Sequence, residues 1–272
     1  MIHERDWDCL VILDACPYDY FEKVYEDYSD GKLQKVISAG YSTLGWLKET
    51  FGDSKHSGII YVSGTAYVNS RGLEVIEGFI GVNHFYKVID VWDHGWSEEL
   101  ETVLPERMSK ATRLARAKYP SKRLISHFNQ PHYPHLSIGS IREITENSAF
   151  IPAKKGIVWE RSLVDKVRGF AGTASEEILG AALTCRVRDI LNLRRSKPCE
   201  LIAREYGDRT LYEAYENNLR AALAEVKKLA ERLPGKTVVT SDHGELLGED
   251  GLYGHGWRHP LLREVPWLEV EK

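Results

Sequence analysis

The chain has 272 residues, 43% hydrophobic and 28% charged, with 36 Lys and Arg against 40 Asp and Glu for a formal charge of −4. A chain of this size buries most of its apolar surface without covalent staples, and its acidic balance argues against a general nucleic-acid binder, which carries a basic surplus. Seven Trp and 14 Tyr exclude extended disorder, and no apolar run reaches the roughly 18–20 residues that span a bilayer.

The polar start MIHERDWDCLVILDA has neither the basic segment nor the apolar stretch of an export signal, which predicts a cytoplasmic location. Cys9–Ala15 (CLVILDA) is a continuous apolar run ending in an acid, the pattern of a strand buried on both faces. Tyr18–Tyr28 has helical spacing. Leu33–Ala39 reads as a second strand and Thr43–Phe51, after Gly40, as a short helix. Gly58–Ser63 and His84–Val91 are further strands, Pro105–Tyr119 a cationic amphipathic helix and Lys122–Phe128 a fifth strand. Residues 140–200 show a loop-like Ile151–Gly156 and helical spacing over Val164–Gly169 and Glu176–Leu193, an expected helical insertion or lid. Arg209–Arg232 is a long helix with Leu211, Tyr215, Leu219, Leu223 and Val226 near one face, stopped by Pro234-Gly235. Lys236–Ser241 is a sixth strand and Val265–Val270 a short last one. Cys9, Cys16, Cys185 and Cys199 lack CxxC spacing and are expected as buried thiols.

Strands alternating with helices predict an α/β fold of one domain, a mostly parallel sheet covered on both faces in three layers, α/β/α. In such sheets the ligand site lies beyond the carboxyl ends of the strands. Polar residues gather there. Asp14 ends the first strand, Ser42 and Thr43 follow the second, His127 ends the fifth, and Asp242-His243-Gly244 follows the sixth. Two carboxylates, a hydroxyl and an imidazole form a mixed oxygen and nitrogen set suited to a divalent cation. Taken singly each has a structural alternative: Asp14 and Ser42 as helix caps, His127 as a hydrogen-bonded strand-end ring. HFNQPHYPHL adds His132 and His135 on a proline-fixed loop, and Gly254-His255-Gly256 adds a histidine between glycines.

VILDACPYDYF, the Gly-Tyr-Ser-Thr turn, HFNQPHYPHL and TVVTSDHGELLGEDGLYGHG occur in the order seen in the alkaline phosphatase superfamily. The chain resembles the sulfatase-like branch of that superfamily over residues 7–51, 84–136 and 206–270. The resemblance implies a central α/β/α core with a metal-assisted nucleophile at the carboxyl edge of the sheet. By position, Asp14, Ser42, Asp242 and His243 are then the ligands of one divalent ion (Mg, Mn, Ca or Zn), a second ion being less expected. Ser42 is the nucleophile and Thr43 the alternative. His132 and His255 take part in catalysis and, with His127, contact the transferred group. Ser42-Thr43-Leu44-Gly45-Trp46 lacks the Pro and Arg of the sulfatase signature, so conversion to formylglycine is not expected, and Pro17 stands where similar openings carry Arg.

The expected activity is therefore that of a metal-dependent hydrolase or transferase acting on phosphate esters through a serine. Sulfuric ester hydrolysis is the first alternative and a non-catalytic metal- or anion-binding protein the second. The expected partner is a small anionic ester, such as a glycan or lipid-linked phosphate or sulfate, with no nucleic acid and no integral membrane segment. Lys154, Lys155, Arg194 and Arg195 are candidate anion contacts.

Overall fold

The apolar run after Asp8 forms β1 (Cys9–Asp14), every residue of which is buried. Its alternate side chains feed two cores. Cys9, Val11 and Leu13 pack on one face of the sheet, and Leu10 and Ile12 on the other. Six further strands complete the sheet: β2 (Gly31–Ile37), β3 (His56–Ser63), β4 (Phe85–Asp90), β5 (Arg123–Pro131), β6 (Thr237–Ser241) and β7 (Glu264–Val270). Their order is β2-β7-β6-β1-β5-β3-β4. β7 runs antiparallel to both its neighbours, and the β6-β1-β5-β3-β4 pairings are all parallel. The mixed, mostly parallel sheet flanked by helices is the three-layer α/β architecture that the strand–helix alternation predicts.

The computed structural model describes residues 2–52, 54–139 and 196–272, together with 180, 181, 183 and 185. The helical spacing at Val164–Gly169, the Ile151–Gly156 loop and the basic residues Lys154, Lys155, Arg194 and Arg195 fall outside these, as does Glu176–Leu193 apart from those four residues, of which 181, 183 and 185 are helical. Among the described residues, no helix is long and apolar enough to cross a membrane.

On one face lie α1 (Tyr18–Glu22), α3 (Pro105–Lys118) and the long α5 (Asp208–Arg232), which place Phe21, Met108, Leu219, Leu223 and Val226 against Val11, Leu13, Val62 and Leu124. On the other, α2 (Thr43–Phe51) sets Trp46, Leu47 and Phe51 against Leu10, Ile12, Tyr61 and Ile125. Each such fully buried side chain contributes roughly 1.5–3 kcal/mol. α4 (Pro198–Tyr206) precedes α5 and starts with Pro at its first turn.

Two boundaries differ from the sequence reading. α1 stops at Glu22 because Val24 leaves the helical conformation (φ −128°) with its side chain buried, and a 3-10 turn follows at Tyr25–Asp27. β5 does not end at Phe128 but continues to Pro131, opposite Asp14 across a register shift. That extension moves His127 from a strand end to a strand interior.

Candidate active site

Four segments meet at the carboxyl edge of β1 and β6. After β1 the backbone turns at Ala15 (φ +61°), and the Ala15 amide donates to Asp242 Oδ1 at 3.1 Å. The Tyr215 hydroxyl of α5 holds this turn by donating to Ala15 O at 2.6 Å. Asp242 Oδ1 also accepts from the His243 amide at 2.8 Å, and the one proton of Ser241 Oγ is shared between Leu13 O at 2.8 Å and His243 O at 2.7 Å. Asp242 is thus pinned through one carboxylate oxygen. Its other oxygen, Oδ2, is buried without a hydrogen-bond partner.

That free oxygen faces a cluster. His243 Nδ1 donates to Gly244 O at 2.8 Å, so Nε2 carries the lone pair. His243 Nε2 lies 3.4 Å from Asp242 Oδ2, 3.6 Å from Asp14 Oδ1 and 3.2 Å from Thr43 Oγ1. Thr43 Oγ1 is in turn 3.5 Å from Asp14 Oδ1. Burial pushes the Asp14 carboxyl well above its ordinary range, with the charges of Asp242 and Glu245 adding to it. Burial also works against charge on Asp242, but His243, His127 and the Ala15 amide together outweigh it and hold that group low. Two buried carboxyl groups crowded on one point repel when both are ionised, unless a proton or a cation sits between them. The donor set fits a divalent ion.

Ser42 is not part of the cluster. It is the N-cap of α2, with extended backbone (φ −164°, ψ 159°) and a side chain that accepts from the Gly45 amide at 3.4 Å. Serine is among the best residues for this task, and taking it turns the hydroxyl back along the helix. Thr43, the first helical residue, is the one whose hydroxyl reaches Asp14 and His243. Gly40 allows the approach, since a Cβ there would lie 2.4 Å from the Trp46 nitrogen.

His127 does not face a ligand either. Wholly buried inside β5, its Nδ1 is 2.6 Å from the Tyr61 hydroxyl and its Nε2 is 3.7 Å from Asp242 Oδ2. Burial lowers its pKa to about 4. It lies behind Asp242 rather than on the cavity that Asp14, Thr43, His132 and His255 border.

His132 and His255 do stand beside the cluster. Their rings are 5.1 Å apart, and the His255 ring is 4.4 Å from that of His243. The His132 amide donates to Asp14 O at 3.1 Å, and its Nδ1 donates to Tyr133 O at 2.5 Å. His255 Nδ1 is 3.0 Å from Glu245 Oε1. Burial lowers His132 to about 4 and His255 well below its ordinary value. Asp14, Thr43, His132 and His255 border one cavity. His135 is elsewhere, sealed between Tyr133 and Tyr215.

Two supporting residues escaped the sequence reading. Glu245 is buried against His255 and lies with it and His132 in a second compact group of ligand-type atoms. Its signal was an acid three residues past Asp242. Asn218 on α5 donates from Nδ2 to the carbonyls of Pro131, His132 and Pro134 and accepts from the Leu136 amide at 2.7 Å, fixing the loop that carries His132. Its signal was a polar residue between Tyr215 and Leu219 on an apolar helix face.

No protein-family model matches the sequence, and no curated protein does. Solved structures do match. The integral membrane lipooligosaccharide phosphoethanolamine transferase A of Neisseria meningitidis aligns at TM-score 0.53 and 13% identity, over 96% of this chain and 47% of that one. The soluble domain of that transferase gives TM-score 0.52 and 13% identity, over 96% and 75%. A protein in the alkaline phosphatase superfamily from Vibrio parahaemolyticus aligns at 0.46 and 10% identity, over 98% and 60%. The chain has the fold of the phosphoethanolamine transferase domain. It spans about half the length of the membrane transferase, and at these identities the likeness speaks for the fold alone. In this fold the Asp14–Thr43–Asp242–His243 cluster occupies the strand-end position at which α/β sheets bind ligands.

Proposed function

We propose that the chain is a metal-dependent enzyme that cleaves or transfers phosphate esters, with Thr43 as nucleophile. The observation that carries this is the position of Thr43 Oγ1, 3.2 Å from the lone-pair nitrogen of His243 and 3.5 Å from Asp14, in a group closed by the unpartnered Asp242 Oδ2. Asp14, Thr43, Asp242 and His243 would hold the cation, which supplies charge that favours the ionised hydroxyl and polarises the ester.

The remaining chemistry belongs to the chain's own side chains. Thr43 stands at the first turn of α2, where unpaired backbone amides and the helix dipole favour the anionic oxygens of an ester. His132 and His255 each have Nδ1 committed, to Tyr133 O and Glu245, so any proton they exchange passes through Nε2. The rings rest neutral, so Nε2 first accepts: a ring that takes up the proton released as the Thr43 hydroxyl ionises gives it to the departing oxygen, and the ring, neutral again, accepts the proton of the water or alcohol that releases the group from Thr43. One such preorganised donor is worth about 3 kcal/mol. The absent Pro and Arg after Ser42 weigh against formylglycine chemistry and so against sulfate esters.

The test is turnover of 4-nitrophenyl phosphate, a bis-aryl phosphate and 4-nitrophenyl sulfate by the full chain, before and after chelation and with Mg, Mn, Ca or Zn restored. Phosphate ester cleavage lost on chelation and recovered with one ion supports the reading. Preferred cleavage of the sulfate, or no cleavage with any ion, overturns it.

A further inference from the structure

A buried imidazole that the proposed chemistry leaves unused sits behind Asp242. His127 interrupts the apolar run of β5 two residues after Ile125, which packs in the core under α2 and lies opposite Tyr61 in the β3–β5 register. The ring bridges two groups. Its Nδ1 is 2.6 Å from the Tyr61 hydroxyl and its Nε2 is 3.7 Å from Asp242 Oδ2, while the Trp46 ring meets it edge-on at 5.9 Å. The Tyr61, His127 and Asp242 side chains are all sealed from solvent. His127 Nε2 and Asp242 Oδ2 have no hydrogen-bond partners. Burying a polar group is costly unless it meets a complementary one, and these two orphaned atoms face each other.

We propose that Tyr61 and His127 are positioning residues that act through Asp242: the Tyr61 hydroxyl donates to His127 Nδ1, which leaves the single ring proton on Nε2, directed at Asp242 Oδ2. This rests on the reading of Asp242 as a ligand of the cation. A neutral imidazole has one N–H and one acceptor nitrogen. With the proton on Nδ1, the Nε2 lone pair would point at a carboxylate oxygen in a setting without water, and the phenol proton would find no acceptor on the ring. With the proton on Nε2 both contacts are favourable. The Ala15 and His243 amides already hold Asp242 Oδ1, so a donor approaching Oδ2 from behind fixes the one rotation left to the carboxylate. A carboxylate oxygen has two lone pairs, and the one turned toward Asp14 and His243 stays open to a cation. A neutral donor also favours the ionised carboxylate without placing a positive charge beside the ion it is to bind.

Two measurements on the full chain test this, and neither reads turnover. Nitrogen-15 spectra of the histidine-labelled protein near neutral pH should show the His127 ring, assigned by the signal that His127→Gln removes, as the Nε2–H tautomer. An Nδ1–H tautomer or an imidazolium would overturn the proposal. Calorimetric titration with Mn or Zn then reads the effect on Asp242. Tyr61→Phe is expected to weaken binding about tenfold and His127→Leu about 10–100-fold, the scale for partners that orient a metal ligand. His127→Gln, whose amide nitrogen donates from near the place of Nε2, should stay within about threefold of wild type. Because Tyr61 acts only through His127, adding Tyr61→Phe to His127→Leu should change affinity by less than about twofold. Should His127→Leu fail to fold, the same comparison is made on His127→Gln, where Tyr61→Phe is likewise expected to have little effect. Unchanged metal affinity in Tyr61→Phe with only the melting temperature lowered, or full additivity in the double variant, would overturn the proposal. Affinities that follow the expected pattern in a chain that cleaves no phosphate ester would support the positioning role and count instead against Thr43 as nucleophile.

Discussion

Ser42 and Thr43 are adjacent hydroxyls, and substitution separates their roles. Ser42→Ala removes the cap of α2. The capping distance of 3.4 Å is long, which places the cost at the low end of the range for cap loss, about 0.5–1 kcal/mol. For a chain of this size that lowers Tm by about 1–4 °C, and turnover of 4-nitrophenyl phosphate is expected to stay within about threefold of wild type. Thr43→Val keeps the shape of the side chain and deletes the oxygen that lies near Asp14 and His243. Removal of a nucleophile leaves only the catalysis that binding and charge stabilisation supply, so kcat should fall by at least about 10³-fold, equivalent to about 4 kcal/mol of barrier. Thr43→Ser restores a hydroxyl on a less constrained rotor and should recover activity to within about tenfold. The assay is steady-state turnover at saturating metal, with circular dichroism to confirm folding. A Thr43→Val protein with more than a tenth of wild-type kcat, or a Ser42→Ala protein as impaired as Thr43→Val, would refute the assignment.

Asp242→Asn removes one of two carboxylates from the ligand set while keeping its size; affinity for Mn or Zn, measured by calorimetry, should fall about 100-fold or more, and unchanged affinity would take Asp242 out of the site. Asn218→Leu removes an amide whose two Nδ2 protons are shared among three loop carbonyls and whose Oδ1 accepts from the Leu136 amide; at about 1 kcal/mol for each of these two donated bonds and one accepted bond, urea denaturation should show a loss of about 3 kcal/mol, together with reduced turnover as His132 loses its support. Acid stability should reflect His135, which burial lowers to about 3. Its ring stays neutral in the native state while the unfolded chain takes up a proton near pH 6.5. The contribution is therefore complete above about pH 6.5 and declines toward pH 3, by up to about 1.4 kcal/mol per unit. Denaturation of His135→Phe across pH 4–7 should show a shallower slope than wild type, and equal slopes would mean that the native ring protonates freely.

The parts of the site that were legible in the sequence are those fixed by strand ends. β1 and β6 are apolar runs that stop abruptly, so Asp14 and Asp242-His243 had to emerge at one edge of a parallel sheet, and the structure brings them together. What could not be read depends on a single residue of phase. The proline-rich HFNQPHYPH segment gives no sign that β5 continues past Phe128, yet that continuation buries His127 behind Asp242 and leaves His132 on the cavity beside Thr43. The Ser42–Thr43 pair is decided the same way. Where a helix begins determines which hydroxyl caps it and which projects from its first turn, and sequence alone sets that boundary only to within a residue or two. The residues that support the site from farther away, Asn218 and Glu245, are polar side chains with apolar neighbours, Asn218 on the buried face of α5 and Glu245 in the loop just before Leu246. Each is buried, and each is explained only by a loop or cavity contributed by a distant part of the chain. A polar residue interrupting an otherwise apolar face is therefore the sequence feature most worth pursuing here, because burial forces it to find a partner, and in this fold the partners of Asn218 and Glu245 lie on the segments that carry His132 and His255.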